Sequence, residues 1–356
     1  MTSSKRIAYL DLARGMGMVL VVMGHVEYMN PTILQSIYVF HMPLFFLLSG
    51  ILIWEKQEEK KNFIDVLKKK GRTILFPYAL FSVLTIGIEA FRLLVKNLDE
   101  WDTLFFKVYQ TICLQGVSVL WFLPALFISE SVFIGIRKRL HTGPLIGCAC
   151  LLTTVTAILS QYEKVLYEQH IQSTIWRYGH EIWSMLLRNL FCVGFICIGY
   201  LLAKYWLGYW NRVWQQILAV GICLLLCVWL LPPCAGSEIR YMSVGSLPLF
   251  FSAATAGSLL VISVCRLLAM LPVPIMKKPL AFYGQNSLIV MATHMELRVL
   301  YVSINLVTFL KLSGGNNTLL CISIIVLVLL LEVPVIWIFN IFLPRITEFV
   351  FQKRTS

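Results

Sequence analysis

An arginine and a histidine stand eleven residues apart inside the apolar stretch IAYLDLARGMGMVLVVMGHVEYM, residues 7–29. On a helix each residue turns by about 100° and rises about 1.5 Å, so eleven steps climb about 16 Å and return to within about 20° of the start. Arg14 and His25 therefore share one helix face, and Asp11 lies about 40° from His25 on it. Charge inside a bilayer costs about 3 kcal/mol per residue on insertion scales, so such residues mark function more often than packing. Histidine is the side chain whose ordinary pKa suits a general base near neutral pH. A guanidinium, an amide or an imidazole can donate to a developing oxyanion. The set suits acyl transfer, in which a hydroxyl attacks an activated carbonyl. The competing reading is a salt-bridged polar stripe that only packs helices.

Other polar residues interrupt later apolar stretches. His41 lies on the next segment, expected at the same outer depth as His25. In AFYGQNSLIVMATHMELRVL, Ser287, Met291, His294 and Arg298 recur at spacings of four, three and four, which predicts one helical face opened by Gln285 and Asn286. Glu130, in WFLPALFISESVF, needs a cationic partner or a proton. His41, Glu130, Asn286 and His294 are expected to line one chamber with His25. Glu130 would be its charge partner or proton relay, and Asn286 and His294 its donors to substrate or oxyanion. Glu89 and Arg92 are expected to pair with each other, and Glu332 has no evident role. The chain has no GxSxG elbow, P-loop or HExxH motif. Its 10 cysteines show no CxxC or CxxH spacing, which argues against a metal centre. Cys113 and Cys234 fall in outward loops, where a pair is conceivable.

The elements that must position these residues are apolar. The chain is 58% hydrophobic and 13% charged, with a mean hydropathy of +0.78, which excludes an ordinary soluble surface. Stretches of span length recur near 7–29, 33–54, 73–95, 119–136, 144–160, 183–203, 213–231, 246–270, 280–310 and 318–343. The ninth is too long for a straight span and is expected to tilt or include a turn. With a cytoplasmic N-terminus, nineteen Lys and Arg fall in cytoplasmic gaps, from Lys5 and Arg6 to Lys353 and Arg354. Only Lys96, Lys107, Lys164, Arg177, Arg240 and Lys311 fall in the opposite loops. The expectation is an all-α polytopic membrane protein of about ten transmembrane helices, with both termini cytoplasmic and no cleavable signal peptide. The net charge of +12 is then mostly this bias plus attraction to anionic lipid, with no call for nucleic acid. The charged run EKQEEKKNFIDVLKKKGR predicts a short interfacial helix, and the long outer loops 96–118 and 161–182 are expected to cover an external substrate. Inner-face cations at Lys68–Arg72 and Arg137–Arg139 have the chemistry to hold phosphates of a cytoplasmic donor.

These motifs resemble the acyltransferase-3 family of integral membrane O-acyltransferases. The resemblance rests on YLDLARGMGMVLVVMGHV, FHMPLFFLLSGILIW, KKKGRTILFPY, LWFLPALFISE and LAFYGQNSLIVMATHM, in family order from residue 9 to about residue 295. It implies an arginine at Arg14, a catalytic histidine at His25 and a Ser-Gly signature at Phe45, Phe46, Ser49 and Gly50. It also implies a basic motif at Lys69 and Arg72, with lysine where the family often has arginine. The implied donor is cytoplasmic acyl-CoA, and the implied acceptors are sugars of surface or secreted glycans. Many relatives carry a further soluble domain; this chain is expected to be one transmembrane acyltransferase domain over 1–356.

The resulting expectation is a multi-pass plasma (inner) membrane O-acetyltransferase. It would move acetyl, or another short acyl group, from acetyl-CoA to a hydroxyl of a cell-surface glycan or its lipid-linked precursor. Asp11, Arg14, His25, Glu130 and His294 would serve catalysis, and His41, Ser49, Asn286 and Arg298 would contact substrate. Lys69, Arg72, Arg137 and Lys138 would hold the donor. Membrane lipid is a further partner, no metal is called for, and a homo-oligomer is compatible with the sequence. The alternative is a transporter or flippase for a glycan or small solute, although neither inverted repeats nor paired broken helices are evident.

Overall fold

The computed structural model describes residues 7–170, 173–311 and 316–352. Lys5, Arg6, Lys353 and Arg354, part of the inner-face charge, lie outside the described residues. The helices are α1 (Ala8–Gly24), α2 (Pro31–Glu55), α3 (Phe63–Lys70), α4 (Phe76–Lys96), α5 (Trp101–Ile112), α6 (Phe122–Arg139) and α7 (Thr142–Gln169). They continue as α8 (Thr174–Leu202), α9 (Val213–Leu230), α10 (Leu247–Met270), α11 (Pro274–Gln285), α12 (Ser287–Thr293), α13 (Val299–Phe309) and α14 (Asn317–Gln352). Among the described residues no β-strand forms; one isolated bridge joins Glu238 and Ser243. The chain is an all-α polytopic membrane protein. Eight helical segments are long and apolar enough to cross a membrane: Pro31–Glu55, Phe63–Lys96, Ser118–Arg139, Thr142–Gln169, Thr174–Leu207, Val213–Leu230, Leu247–Met270 and Asn317–Thr347. They match the second to eighth and the tenth expected stretches. The first stretch forms α1, of 17 residues. The ninth is broken.

The chain divides into two compact units. Of the described residues, the first contains 7–57, 194–290 and 316–325. Its helices cross so closely that backbones touch. A Cβ on Gly15 of α1 would lie 1.9 Å from the Leu280 carbonyl oxygen of α11, and one on Gly284 would lie 1.7 Å from that of Asp11. A second reciprocal crossing joins α2 to the end of α8, where a Cβ on Gly50 would lie 2.0 Å from Ile196 O and one on Gly199 2.0 Å from Leu47 O. Helices in lipid gain little from hydrophobic burial against one another, so close approach at small residues supplies the attraction. Between the crossings sits an apolar core of Leu10, Ala13, Phe40, Leu44, Leu48 and Ile262.

Of the described residues, the second unit contains 58–170, 173–193, 291–311 and 326–352. The charged run forms α3 as expected, capped by the Asn62 side chain, which accepts from Ile64 N at 2.9 Å. A π-helical turn, Gly71–Leu75, carries α3 into α4. The expected outer loops are largely helical: α5 occupies most of 96–118, while α7 and α8 extend through most of 161–182. Those segments are amphipathic rather than apolar, so a hydropathy reading stops before the helices do. The turn after α5 needs Gly116, whose φ is +76° and whose Cβ position would fall 2.4 Å from Trp121 Cα. Arg92 pairs with Glu89 at 2.9 Å, and Lys107 of α5 joins the same carboxylate at 3.1 Å. The ten cysteines are free thiols.

The expected single face Ser287–Met291–His294–Arg298 is corrected here. Gln285 ends α11, Asn286 stands at the joint, and α12 ends at Thr293. Residues 294–298 form a turn in which Arg298 has φ 58° and is exposed. Neither glycine nor proline marks the break. Glu296 lies within it instead, its carboxylate close to Thr85, Ser118 and Val119.

The glycine crossings set an expectation for stability. Gly284→Ala should destabilise the protein by about 1–3 kcal/mol or more, the usual scale of overpacking, because the added methyl meets backbone. Gly147→Ala in α7, with nothing within 4 Å, should be neutral or raise stability. Thermal denaturation of the purified protein in detergent reads both; equal midpoints for the two variants would contradict the crossing.

Candidate active site

The first unit holds His25 and His41. His25 caps the end of α1, and its Nδ1 lies 2.8 Å from Val21 O. His41 falls three turns into α2, with Nδ1 2.8 Å from Ile37 O. A carbonyl oxygen only accepts, so each Nδ1 carries the proton and each Nε2 presents the lone pair. The rings are close enough for His25 to act electrostatically on His41. Tyr38, which nothing in the sequence singles out, links them. Its hydroxyl donates to Gly24 O at 2.7 Å, and its ring packs edge-on to His41 at 5.3 Å. Arg240 and Glu238 reach the same end from the loop after α9, Arg240 acting on both His25 and Tyr38. Burial pushes the Glu238 carboxyl above the ordinary carboxylate range, and Arg240 opposes that rise.

Arg14 and Asp11 occupy the other half of α1. Arg14 Nη1 lies 3.9 Å from Asp11 Oδ1, the expected pairing one helical turn apart. Asp11 also accepts from Gln285 Nε2 at 3.4 Å, an alignment set by the Gly15–Gly284 crossing. Asn286 is turned back on its own helix, donating to Phe282 O at 2.8 Å. Ser49 is buried in α2 beside Gly50, whose lack of a side chain serves the α2–α8 crossing.

The second unit holds Glu130 and His294. Glu130 finds its cation in Lys70, whose ammonium lies 2.8 Å from Glu130 Oε2 and 2.8 Å from Glu58 Oε2. All three side chains are nearly buried. Lys69, Arg72 and Lys138 are exposed. Arg137 folds over the end of its helix and donates to Leu140 O at 2.9 Å.

His294 is fully buried at the start of the 294–298 turn. Its neighbour Thr293 donates to Glu332 Oε2 of α14 at 2.8 Å, which supplies a role for a carboxylate that sequence left unassigned. Glu296, also missed, lies in the same turn, close to Ser118 and Val119. No spacing rule links residues 293 and 332, or 85, 118 and 296. Among the described residues no group of three or more His, Cys, Asp or Glu side chains is placed to hold a metal ion.

The Thr293–Glu332 bond sits in fully buried surroundings, so removing its acceptor should be costly. Glu332→Ala should lose about 1–3 kcal/mol, the scale of an unmatched buried polar group, and Glu332→Gln, which keeps an acceptor oxygen, should lose less. Melting midpoints of the two variants test the order; a milder effect for alanine would remove the bond's structural role.

A model of the acyltransferase-3 family, described as an acyltransferase domain, matches residues 7–340. No curated protein and no solved structure matches the chain. The match runs from the start of α1, through the Arg14–His25 helix, the buried Lys70 and the broken segment, into α14. The chain therefore belongs to the acyltransferase-3 family and is a membrane acyltransferase.

Proposed function

We propose that the acyltransferase moves acetyl, or another short acyl group, from acyl-CoA on the cytoplasmic side to a hydroxyl of an extracytoplasmic glycan or its lipid-linked precursor, at the plasma membrane. The observation that carries this reading is the state of His25. With Nδ1–H held by Val21 O, Nε2 is the basic nitrogen, at the end of α1 reached by Glu238 and Arg240. In the proposed step Nε2 takes the acceptor's hydroxyl proton as its oxygen attacks the thioester carbonyl. The new C–O bond forms, the C–S bond breaks, and the proton passes to the departing thiolate to give CoA-SH. His41, oriented in the same way beside His25, is proposed to bind the acceptor.

Arg14 is proposed to fix the donor or the polar stripe below His25, with Asp11 holding its guanidinium. Lysine would lose the planar fork there. Asn286, His294 and Arg298 are kept as donors to substrate and Ser49 as a lining residue. The observed partner of Glu130 favours the charge-partner role over the relay. Interruption of a transmembrane segment is shared with transporters. An acyltransferase family that covers the chain from residue 7 to residue 340 nevertheless favours the enzyme over a glycan carrier.

His25→Ala should preserve expression and fold but lower transfer by at least about 10², the low end of general-base contributions. Near-wild-type turnover in that variant would sink the assignment. Sidedness is tested in sealed inverted membrane vesicles, whose cytoplasmic face points outward. Externally added labelled acetyl-CoA should label glycan trapped inside, and a requirement for lumenal donor would reverse the proposed topology.

A further inference from the structure

Lys70 ends α3 where the backbone widens into the π turn. Phe76 N–H bonds to Gly71 O, five residues back. The Thr73 hydroxyl donates to Lys69 O at 3.1 Å and to Lys70 O at 3.3 Å, so carbonyls at the junction have a local acceptor role. A widened turn is tolerated only where something outside the helix compensates it, and such turns cluster at functional positions. Here the outside contact is the ion network. Lys70 reaches Glu130 on α6 and Glu58 on the single turn Glu58–Lys60, each at 2.8 Å. The neighbouring cations Lys68, Lys69 and Arg72 are exposed. One cation of the run is thus withdrawn from solvent and clamped between two carboxylates.

The clamp does not attract anions itself, since its two carboxylates outnumber its one ammonium. Its effect is on register. Long exposed cations on a mobile segment lose side-chain and backbone entropy when they bind a phosphate, and a segment already ordered loses less. With Lys70 held at a buried site, rotation of the turn about its axis is blocked and Lys69 and Arg72 remain outward. We propose that Lys70, Glu58 and Glu130 are positioning residues that lock the π turn so that Lys69 and Arg72 present a preformed cationic pair to the phosphates of the acyl-CoA donor. The proposal rests on the donor reading above. It gives Glu130 no direct part in chemistry, and it explains why a single lysine in the run is buried.

The test compares full-length wild-type protein with Lys70→Met and Glu130→Gln in lipid nanodiscs. The probes are acetyl-CoA and acetyl-pantetheine, which keeps the thioester arm but lacks the phosphates. Both variants should bind acetyl-CoA about ten-fold more weakly, the scale of a lost charge-assisted contact, and bind acetyl-pantetheine like wild type. In vesicle labelling Lys70→Met should need more acetyl-CoA for half-maximal rate while reaching the wild-type maximum. Hydrogen exchange of residues 63–75 should quicken. The double exchange Lys70→Glu with Glu130→Lys keeps one cation between two carboxylates; it should restore affinity and guards against variants that fail to fold. Unchanged acetyl-CoA affinity in the single variants overturns the positioning role while the donor reading stands. A collapsed maximal rate at unchanged affinity in Glu130→Gln also overturns it, because Glu130 would then act in the chemistry. If wild type itself binds no acetyl-CoA, the donor reading fails and takes this proposal with it.

Discussion

Contact of backbone on backbone at glycine is the constraint from which the first unit's site follows. Gly15 and Gly284 bring α1 against α11, and Gly50 and Gly199 bring α2 against α8. A lipid-immersed interface of leucines gains little over leucines facing lipid, so close packing and interhelical polar contacts must provide the attraction. Each glycine pair also sets register. The α1–α11 pair puts Asp11 beside Gln285, and the acid in turn lies within reach of Arg14. The polar stripe of α1 is thereby seated by a packing contact one residue away from it.

Charge in the apolar segments is paired. Glu89 is matched by Arg92 and Lys107, Glu130 by Lys70, and Asp11 by Arg14. An isolated charge in low dielectric would neutralise or force the helix out of the membrane, whereas a paired one is retained. Glu332 departs from this pattern: it accepts from a neutral hydroxyl, that of Thr293. Glu296 departs likewise, lying close to Thr85, Ser118 and Val119. Both carboxylates lie at the same turn, where α12 ends at Thr293 and His294 leaves the helical path. The two histidines of the first unit use another device. Each spends its Nδ1–H on the carbonyl four residues back, which fixes the tautomer without a carboxylate partner.

The amino-acid sequence by itself determined the class, the positions of most spans and the residues worth watching, because these depend on local quantities. Span length follows from apolar run length, and pairs such as Asp11–Arg14 and Glu89–Arg92 follow from the pitch of a helix. The Arg14–His25 stripe was legible for the same reason. Tertiary structure decided whatever joins residues distant along the chain. Lys70 looked like one of several inner cations until Glu58 and Glu130 enclosed it. Tyr38, Glu296 and Thr293–Glu332 carry no periodic signal, since their partners lie on other helices. The ninth segment was too long for a straight span, which called for a tilt or a turn, but the spacing of Ser287, Met291, His294 and Arg298 read as one helical face; the packed chain places the turn at 294–298, inside that face. Helical periodicity reports which face a residue occupies; only the packed chain supplies what that face meets.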